Sequence, residues 1–188
     1  MKNQSEVKQR QNALTDLYLS KPSLASITHS SEVIGENLHD PYRTSVIVSD
    51  DLLVPFKVGI HRAVGGDHDL PNPSDMLYAA LASCFESTIR LISNRLDIQL
   101  TETRVTVSAE VDVRGTLMID KSVPVGYQSM SLDVVLASST ANNKLMNLLI
   151  RAAEQSCIIY QTIKRSVPIT VTSKLEVLNP SMNSSNLI

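Results

Sequence analysis

The sequence predicts an α+β fold, an antiparallel sheet with helices buried against it. Three observations carry that prediction. Strand-like segments come in consecutive runs instead of alternating one for one with helices, which favours antiparallel pairing with helices on one face. The stretch "NPSDMLYAALASCFESTIRL", residues 72–91, sets apolar residues at steps of three and four, the period of a helix with one buried face. Residues 101–117, "TETRVTVSAEVDVRGTL", instead alternate apolar and polar side chains with the period of a strand that is wet on one side.

With 188 residues, 43% hydrophobic and 19% charged, the chain suffices for one well-buried domain and is short for two. We read a helical N-terminal extension over residues 1–22, the domain over 23–178 and a frayed tail over 179–188. No Trp and two Phe leave the core to Leu, Ile, Val, Met and Ala. A formal net charge of −2, with Lys and Arg scattered along the chain, offers no field for a polyphosphate, so nucleic acid is not an expected partner. The polar N-terminus lacks the apolar run of a secretory signal, and no stretch is long and apolar enough to span a bilayer. The expected setting is cytoplasmic with no membrane partner, where two cysteines seldom form a structural staple.

In chain order, Val7, Ala13, Leu14, Leu17 and Leu19 mark an amphipathic helix over residues 5–19, which Lys21-Pro22 ends. Residues 24–34, 42–49 and "VPFKVGIH" read as strands of a meander. The loop "AVGGDHDLPNP" is turn chemistry, and Gly65-Gly66 points to positive φ, not to a phosphate cradle. At its end Asn72 can cap a helix, Pro73 suits the first helical position, and Asp75 brings a carboxylate to free N–H groups. Leu77, Leu81, Cys84, Thr88 and Leu91 or Ile92 then draw the apolar stripe, with Glu86 on the far side, solvated or paired at an interface. Val105, Val107, Ala109, Val111 and Val113 form the inner face of the long strand. Met130, Leu132, Val134 and Leu136 alternate in the same way, so the two segments pair as a hairpin. A second helix covers residues 140–157, its buried side marked by Leu145, Leu149, Ala152 and Ser156 and its end by Cys157. "VPITVTSKLEV" closes the domain as a strand.

Cys84 and Cys157 are the only cysteines. A buried free cysteine is commonly a small hydrophobe, and that reading stays open for each. No C-x-x-C pair is present. His29, His39, His61 and His68 are dispersed, none at ligand spacing from a cysteine, so no metal and no other cofactor is expected. His61 and His68 are loop residues that could line a pocket mouth.

The run "GGDHDLPNPSDMLYAALASCFESTIRLISNRLDI" followed by "AAEQSCIIYQTIKRSVPITVT" resembles the OsmC/Ohr family. The shared pattern is a turn, an N/S-P-x-[DE] helix start, a small-residue helix reaching a cysteine, and a later helix ending in a second cysteine. "DVRGTLMIDKSVPVGYQSMSLDVVL" is similar to the OsmC-like branch. The resemblance covers about residues 40–177. It implies an intertwined homodimer with sites at the interface, and a thiol peroxidase acting on organic hydroperoxides in stress defence. Cys84 would be the peroxidatic thiolate and Cys157 the resolving thiol, their disulfide being reduced by a dithiol donor such as a lipoyl protein or a small thiol.

Two departures bear on the chemistry. Peroxidase members supply an arginine from the first hairpin turn, held by a glutamate ten residues before the first cysteine. Here the turn "VSDDLLVP" has no arginine and position 74 is Ser. Asp75 matches the acidic residue of the OsmC-like branch, in a capping or a catalytic supporting role. Arg43 and Arg62 are the candidates for thiolate activation, since a thiolate needs a cation nearby. The rival readings are a binding protein of the same fold, holding a small apolar ligand at the dimer interface, and a purely structural dimer with inert thiols.

Overall fold

The structure, a computed structural model, describes residues 6–27, 30–34, 44–47 and 55–173. Helix α1 (Glu6–Ser20) comes first. The chain then turns through a 3-10 helix, Pro22–Ala25, whose last two residues occupy the start of the strand expected over 24–34. Pro22 presets the first helical φ, and the Leu24 amide closes the turn on the Lys21 carbonyl at 3.1 Å.

Strands β1 (Glu32–Ile34), β2 (Thr44–Ile47) and β3 (Pro55–Val58) form an antiparallel sheet in that order, with Val33 opposite Val46 and Val46 opposite Phe56. The meander is therefore present in the described parts of its segments. Arg43, the turn at residues 48–54 and the tail at 179–188 lie outside the described residues.

A 3-10 turn, Arg62–Val64, leads to Gly65 at φ 93°, the left-handed region that glycine enters without strain. Gly66 is required for space, because a Cβ there would collide with the Ile60 carbonyl. The loop delivers the chain to α2 (Pro73–Arg95), whose start is a reciprocal cap. The Asn72 Oδ1 accepts from the amides of Ser74 and Asp75 at 2.9 and 3.4 Å, while the Asp75 carboxylate accepts from the Asn72 amide at 2.9 Å.

Strands β4 (Leu100–Glu110) and β5 (Ser129–Ser138) pair antiparallel, with Val105 opposite Val134, Val107 opposite Leu132 and Ala109 opposite Met130. These inward positions are those the alternation predicts. The long strand nevertheless stops at Glu110, and residues Val113–Thr116 form a helical turn, α3. Asp112 caps it by accepting from the Arg114 amide at 3.0 Å, so Val111 and Val113 leave the sheet. A Cβ on Gly115 would lie 2.6 Å from the Pro124 carbonyl, which is why the "RGTL" turn and the "VPVG" loop can touch.

The second predicted helix is two. α4 (Asn143–Ser156) and α5 (Ile158–Arg165) meet at Cys157, the one extended residue between them. α2 lies between the β4–β5 sheet and the α4–α5 pair. Its most buried stripe is Leu81, Phe85, Ile89 and Ser93, so the stripe predicted through Leu77, Cys84 and Leu91 is rotated from the true one. Leu91 is exposed, and on α4 Leu149 is buried as expected, with Ala153 beside it, Ala152 partly buried, and Leu145 and Ser156 exposed. Phe85, Ile89, Leu149, Ala153 and Cys157 form the core cluster, with Val105, Val134 and Tyr160 packed against it. The last described segment, residues 167–173, runs without strand pairing.

Candidate functional site

Cys84 stands at the edge of the buried stripe of α2, beside Phe85, and is half-buried. Cys157 is fully buried at the α4–α5 junction. Nothing in the local sequence is a usual helix breaker, so the junction rests on the hydrogen bonds it makes. The Cys157 amide donates to the Ala153 carbonyl at 2.8 Å and closes α4, and its sulfur accepts the Tyr160 amide at 3.5 Å and opens α5. Sulfur here takes the place a serine or threonine oxygen usually holds at a helix start. The Gln161 side chain donates to the Glu154 carbonyl at 2.6 Å and pins the two helices together.

That bend turns the Cys157 side chain onto α2. The two sulfurs are 3.3 Å apart, both thiols are free, and the Cys157 S–H donates toward the Cys84 sulfur. Burial pushes the Cys157 thiol up from its ordinary value, the Tyr160 amide opposes this, and the contact with Cys84 adds to it. At neutral pH Cys157 therefore holds its proton. A disulfide bond is about 2.05 Å long, so the pair closes by a movement of roughly 1.3 Å, within the reach of side-chain rotation.

Cys84 also lines a hollow of about 380 Å³ with Gln11, Thr88, Leu91, Ile92 and Arg95. The Thr88 hydroxyl is engaged with the Cys84 carbonyl at 2.7 Å, and Leu91, Ile92 and Ile158 supply aliphatic surface beside the polar side chains of Ser87 and Ser156. Arg95 was missed in the sequence reading. The signal is its spacing: eleven residues at 100° per residue bring it within about 20° of Cys84 around α2, roughly 16 Å further along the axis.

The remaining candidates lie elsewhere. Asp75 is nine residues before Cys84, about 13 Å along the same helix. Besides closing the cap, its carboxylate accepts from the Asn72 side chain at 2.6 Å. It lines a separate hollow of about 700 Å³ together with His61, His68, Tyr78 and Tyr127. There the two histidine rings stand edge to face at 4.4 Å, and the Tyr127 hydroxyl bonds to Ser74 at 2.7 Å. Burial first, and then Tyr127, pushes the Tyr78 hydroxyl up to about 12. Arg62 is exposed and lines neither hollow, while Arg43 is outside the described residues.

Glu86 faces β4 instead of solvent. Its carboxylate takes two bonds from Arg90 at 2.7 and 2.9 Å and one from the Thr103 hydroxyl at 2.5 Å. Arg90 above all, assisted by Thr103, holds it below the usual carboxylate range against the opposing effect of burial. Among the described residues no group of three or more His, Cys, Asp or Glu side chains could hold a metal ion. No described helix is long and apolar enough to cross a membrane.

Residues 66–172 match the family model described as OsmC-like protein. Among solved structures, the chain is similar to an organic hydroperoxide resistance protein OsmC from Legionella pneumophila, at 22% identity and a TM-score of 0.53, over 73% of this chain and 90% of that one. It is similar to an organic hydroperoxide resistance protein from Elizabethkingia anophelis at 21% identity and 0.55, over 74% and 89%. An OsmC-like protein from Mycoplasma pneumoniae aligns at 13% identity and 0.58, over 74% and 89%. At these identities the likeness establishes the α+β fold. No protein of curated function matches.

Proposed function

Because the chain belongs to the OsmC-like protein family, we propose that it is a cysteine-based thiol peroxidase that reduces organic hydroperoxides. The observation that carries this reading is the pair of free sulfurs 3.3 Å apart, one of them lining a hollow to which Leu91, Ile92 and Ile158 bring apolar surface. The two solved relatives named organic hydroperoxide resistance proteins agree with it.

The Cys84 thiolate attacks the hydroxyl-bearing oxygen of the hydroperoxide. The O–O bond breaks, the alkoxide takes a proton and leaves as an alcohol, and Cys84 carries a sulfenic acid. The Cys157 sulfur then displaces that hydroxyl, which leaves as water with the thiol's proton, and the S–S bond forms. A dithiol donor, a lipoyl protein or a small thiol, restores both thiols by exchange and is itself oxidised to its disulfide. Burial gives Cys157 its role, since it meets Cys84 and is shielded from reagents in solution. Burial alone disfavours a thiolate, so activation needs a cation; Arg95 lines the Cys84 hollow, but it leaves α2 roughly 16 Å along the axis from Cys84, so it serves as activator only if its side chain folds back along the hollow. Asp75 supports the site at a distance, by fixing the start of the helix that carries Cys84.

The functional unit in this reading is an intertwined homodimer. Val167, Ile169 and Val171 are 54%, 89% and 87% exposed in this chain, which is the state of a strand lacking its neighbour. A second reading, an OsmC-like protein that binds a small apolar ligand with little or no turnover, is favoured by one observation. Among the described residues the hydrogen-bond partner of the Cys84 sulfur is the Cys157 thiol, not a cation.

The deciding experiment follows consumption of cumene hydroperoxide with a dithiol donor by the wild type and by Cys84→Ser. Turnover that disappears in the variant supports the peroxidase. Equal rates in the two proteins defeat it, and a ligand-induced rise in melting temperature without turnover supports the binding protein.

A further inference from the structure

Cys157 is fully buried, and its sulfur does two things at once. It caps α5, accepting the Tyr160 amide at 3.5 Å while the Ile159 amide also reaches it. It also lies 3.3 Å from the Cys84 sulfur, toward which its S–H points. An N-cap satisfies amides that have no partner inside the helix. α5 has eight residues, none of them fully buried, and Ile158 at its first position is 74% exposed. A helix this short stands on its caps and its packing, not on its own propensity. Its packing includes the Tyr160 ring, 5.7 Å from that of Phe85, and the Gln161 side chain on the Glu154 carbonyl at 2.6 Å. The two sulfurs differ in their freedom to move. Cys84 sits in the middle of the 23-residue α2, whereas Cys157 is the one extended residue between two helices. When the sulfurs close to bonding distance, it is Cys157 that shifts.

We infer that the disulfide releases α5: bonding to Cys84 draws the Cys157 sulfur off the Ile159 and Tyr160 amides, and the uncapped helix loosens and opens the Cys84 hollow to the reductant. The inference rests on the disulfide step of the reading above. Ser156 and Ile158, on either side of Cys157, line that hollow, so loosening α5 withdraws part of the wall beside the bond. The need is steric, because thiol exchange requires an incoming thiolate to reach a sulfur and Cys157 is closed off from solution. Through the wider mouth one thiolate of a dithiol attacks the Cys84 sulfur, the S–S bond breaks, and Cys157 leaves as a thiolate that takes a proton. The donor's second thiolate then displaces Cys84, which is protonated in turn, and the donor departs as its own disulfide. The freed Cys157 sulfur returns to the two amides, so reduction resets the cap. α5 is thereby firm in the thiol state and loose in the disulfide state.

The test compares hydrogen exchange at the Ile159 and Tyr160 amides in the reduced full chain and in the chain oxidised with diamide, which makes the disulfide without hydroperoxide. Exchange rises about fivefold on oxidation, the change in open population that goes with loss of one N-cap. Cys157→Ser keeps a capping oxygen and cannot form the bond, so it exchanges slowly before and after diamide. Reduced Cys157→Ala has no cap and already matches the oxidised wild type. A further variant reads the access of the reductant. Ile158→Pro presets the first helical φ, and the Cys157 backbone, at φ −72° and ψ 115°, is extended as the residue before a proline requires. With α5 held in this way, its disulfide is reduced by dithiothreitol several-fold more slowly than that of the wild type. Ile159 and Tyr160 amides that exchange equally in the two redox states, or more slowly after oxidation, overturn the inference, as does a disulfide reduced equally fast in Ile158→Pro. A wild type in which diamide joins no sulfurs overturns it together with the disulfide step. A wild type that never consumes hydroperoxide defeats the peroxidase reading alone, because diamide supplies the oxidation here.

Discussion

At the scale of single residues, the site is a matter of what each sulfur touches. Cys157 is raised by burial in the folded protein, so between its unfolded and folded pKa the native state holds a proton that the unfolded chain has lost. Its contribution is fully present below the ordinary thiol value of 9.0 and is lost as pH rises through the folded value. Unfolding free energy therefore falls with pH from about 9 upward, and Cys157→Ser removes that part of the slope in denaturant titrations run across the alkaline range. The two cysteines were legible in the sequence because their spacing fits the family pattern. Arg95 and Gln11 were not, because neither belongs to a local motif: one joins the hollow through eleven residues of helix geometry, the other through the docking of a helix that lies outside the matched residues. Arg62 was proposed from its place in the sequence, and its position in an exposed 3-10 turn puts it on neither hollow.

At the scale of elements, α2 sets the geometry and its two ends are held differently. The Asn72–Asp75 box closes the start, so Asn72→Ala costs about 1 kcal/mol, the usual effect of removing an N-cap. Asp75→Ala weakens the same cap, yet it sits about 13 Å along the helix from Cys84. Its predicted signature is a lower denaturation midpoint with the rate of Cys84 alkylation unchanged; a large fall in that rate would assign Asp75 a catalytic role. The middle of α2 is tied to β4 through Glu86 and Thr103, so Thr103→Val destabilises by about 1.5–3 kcal/mol, the range for hydrogen bonds to a charged group, which denaturant unfolding measures. The cap, the helix and the β4–β5 pairing were legible because each has a local signature in residue type or period. The bends were not. Alternation continues through Val111 and Val113, but the ladder ends at the Glu110–Ser129 pair, and the Asp112 side chain turns the chain into α3 by accepting from the Arg114 amide. The α4–α5 break at Cys157 has no glycine or proline to announce it. It depends on a sulfur capping α5 and a glutamine spanning the bend.

At the scale of the whole molecule, the described part of the predicted closing strand, residues 167–173, has no strand partner in the single chain. Val167, Ile169 and Val171 alternate with the period of a strand and are exposed, and apolar strand edges of this kind are covered in stable proteins. In the proposed homodimer the second copy covers them, so sedimentation shows a dimer at micromolar concentration, and Ile169→Lys shifts the mass toward the monomer and makes the melting temperature depend less on concentration. The proposed chemistry stands on the sulfur pair, and the most direct measurement is anaerobic titration of the fully reduced protein with cumene hydroperoxide, followed by thiol counting and intact mass. One equivalent should consume both thiols, leave a Cys84–Cys157 disulfide with the mass lower by two hydrogen atoms, and return to the starting mass on addition of a dithiol. Two thiols still free after excess hydroperoxide, or Cys84 oxidised to a sulfinic acid with Cys157 untouched, would contradict it.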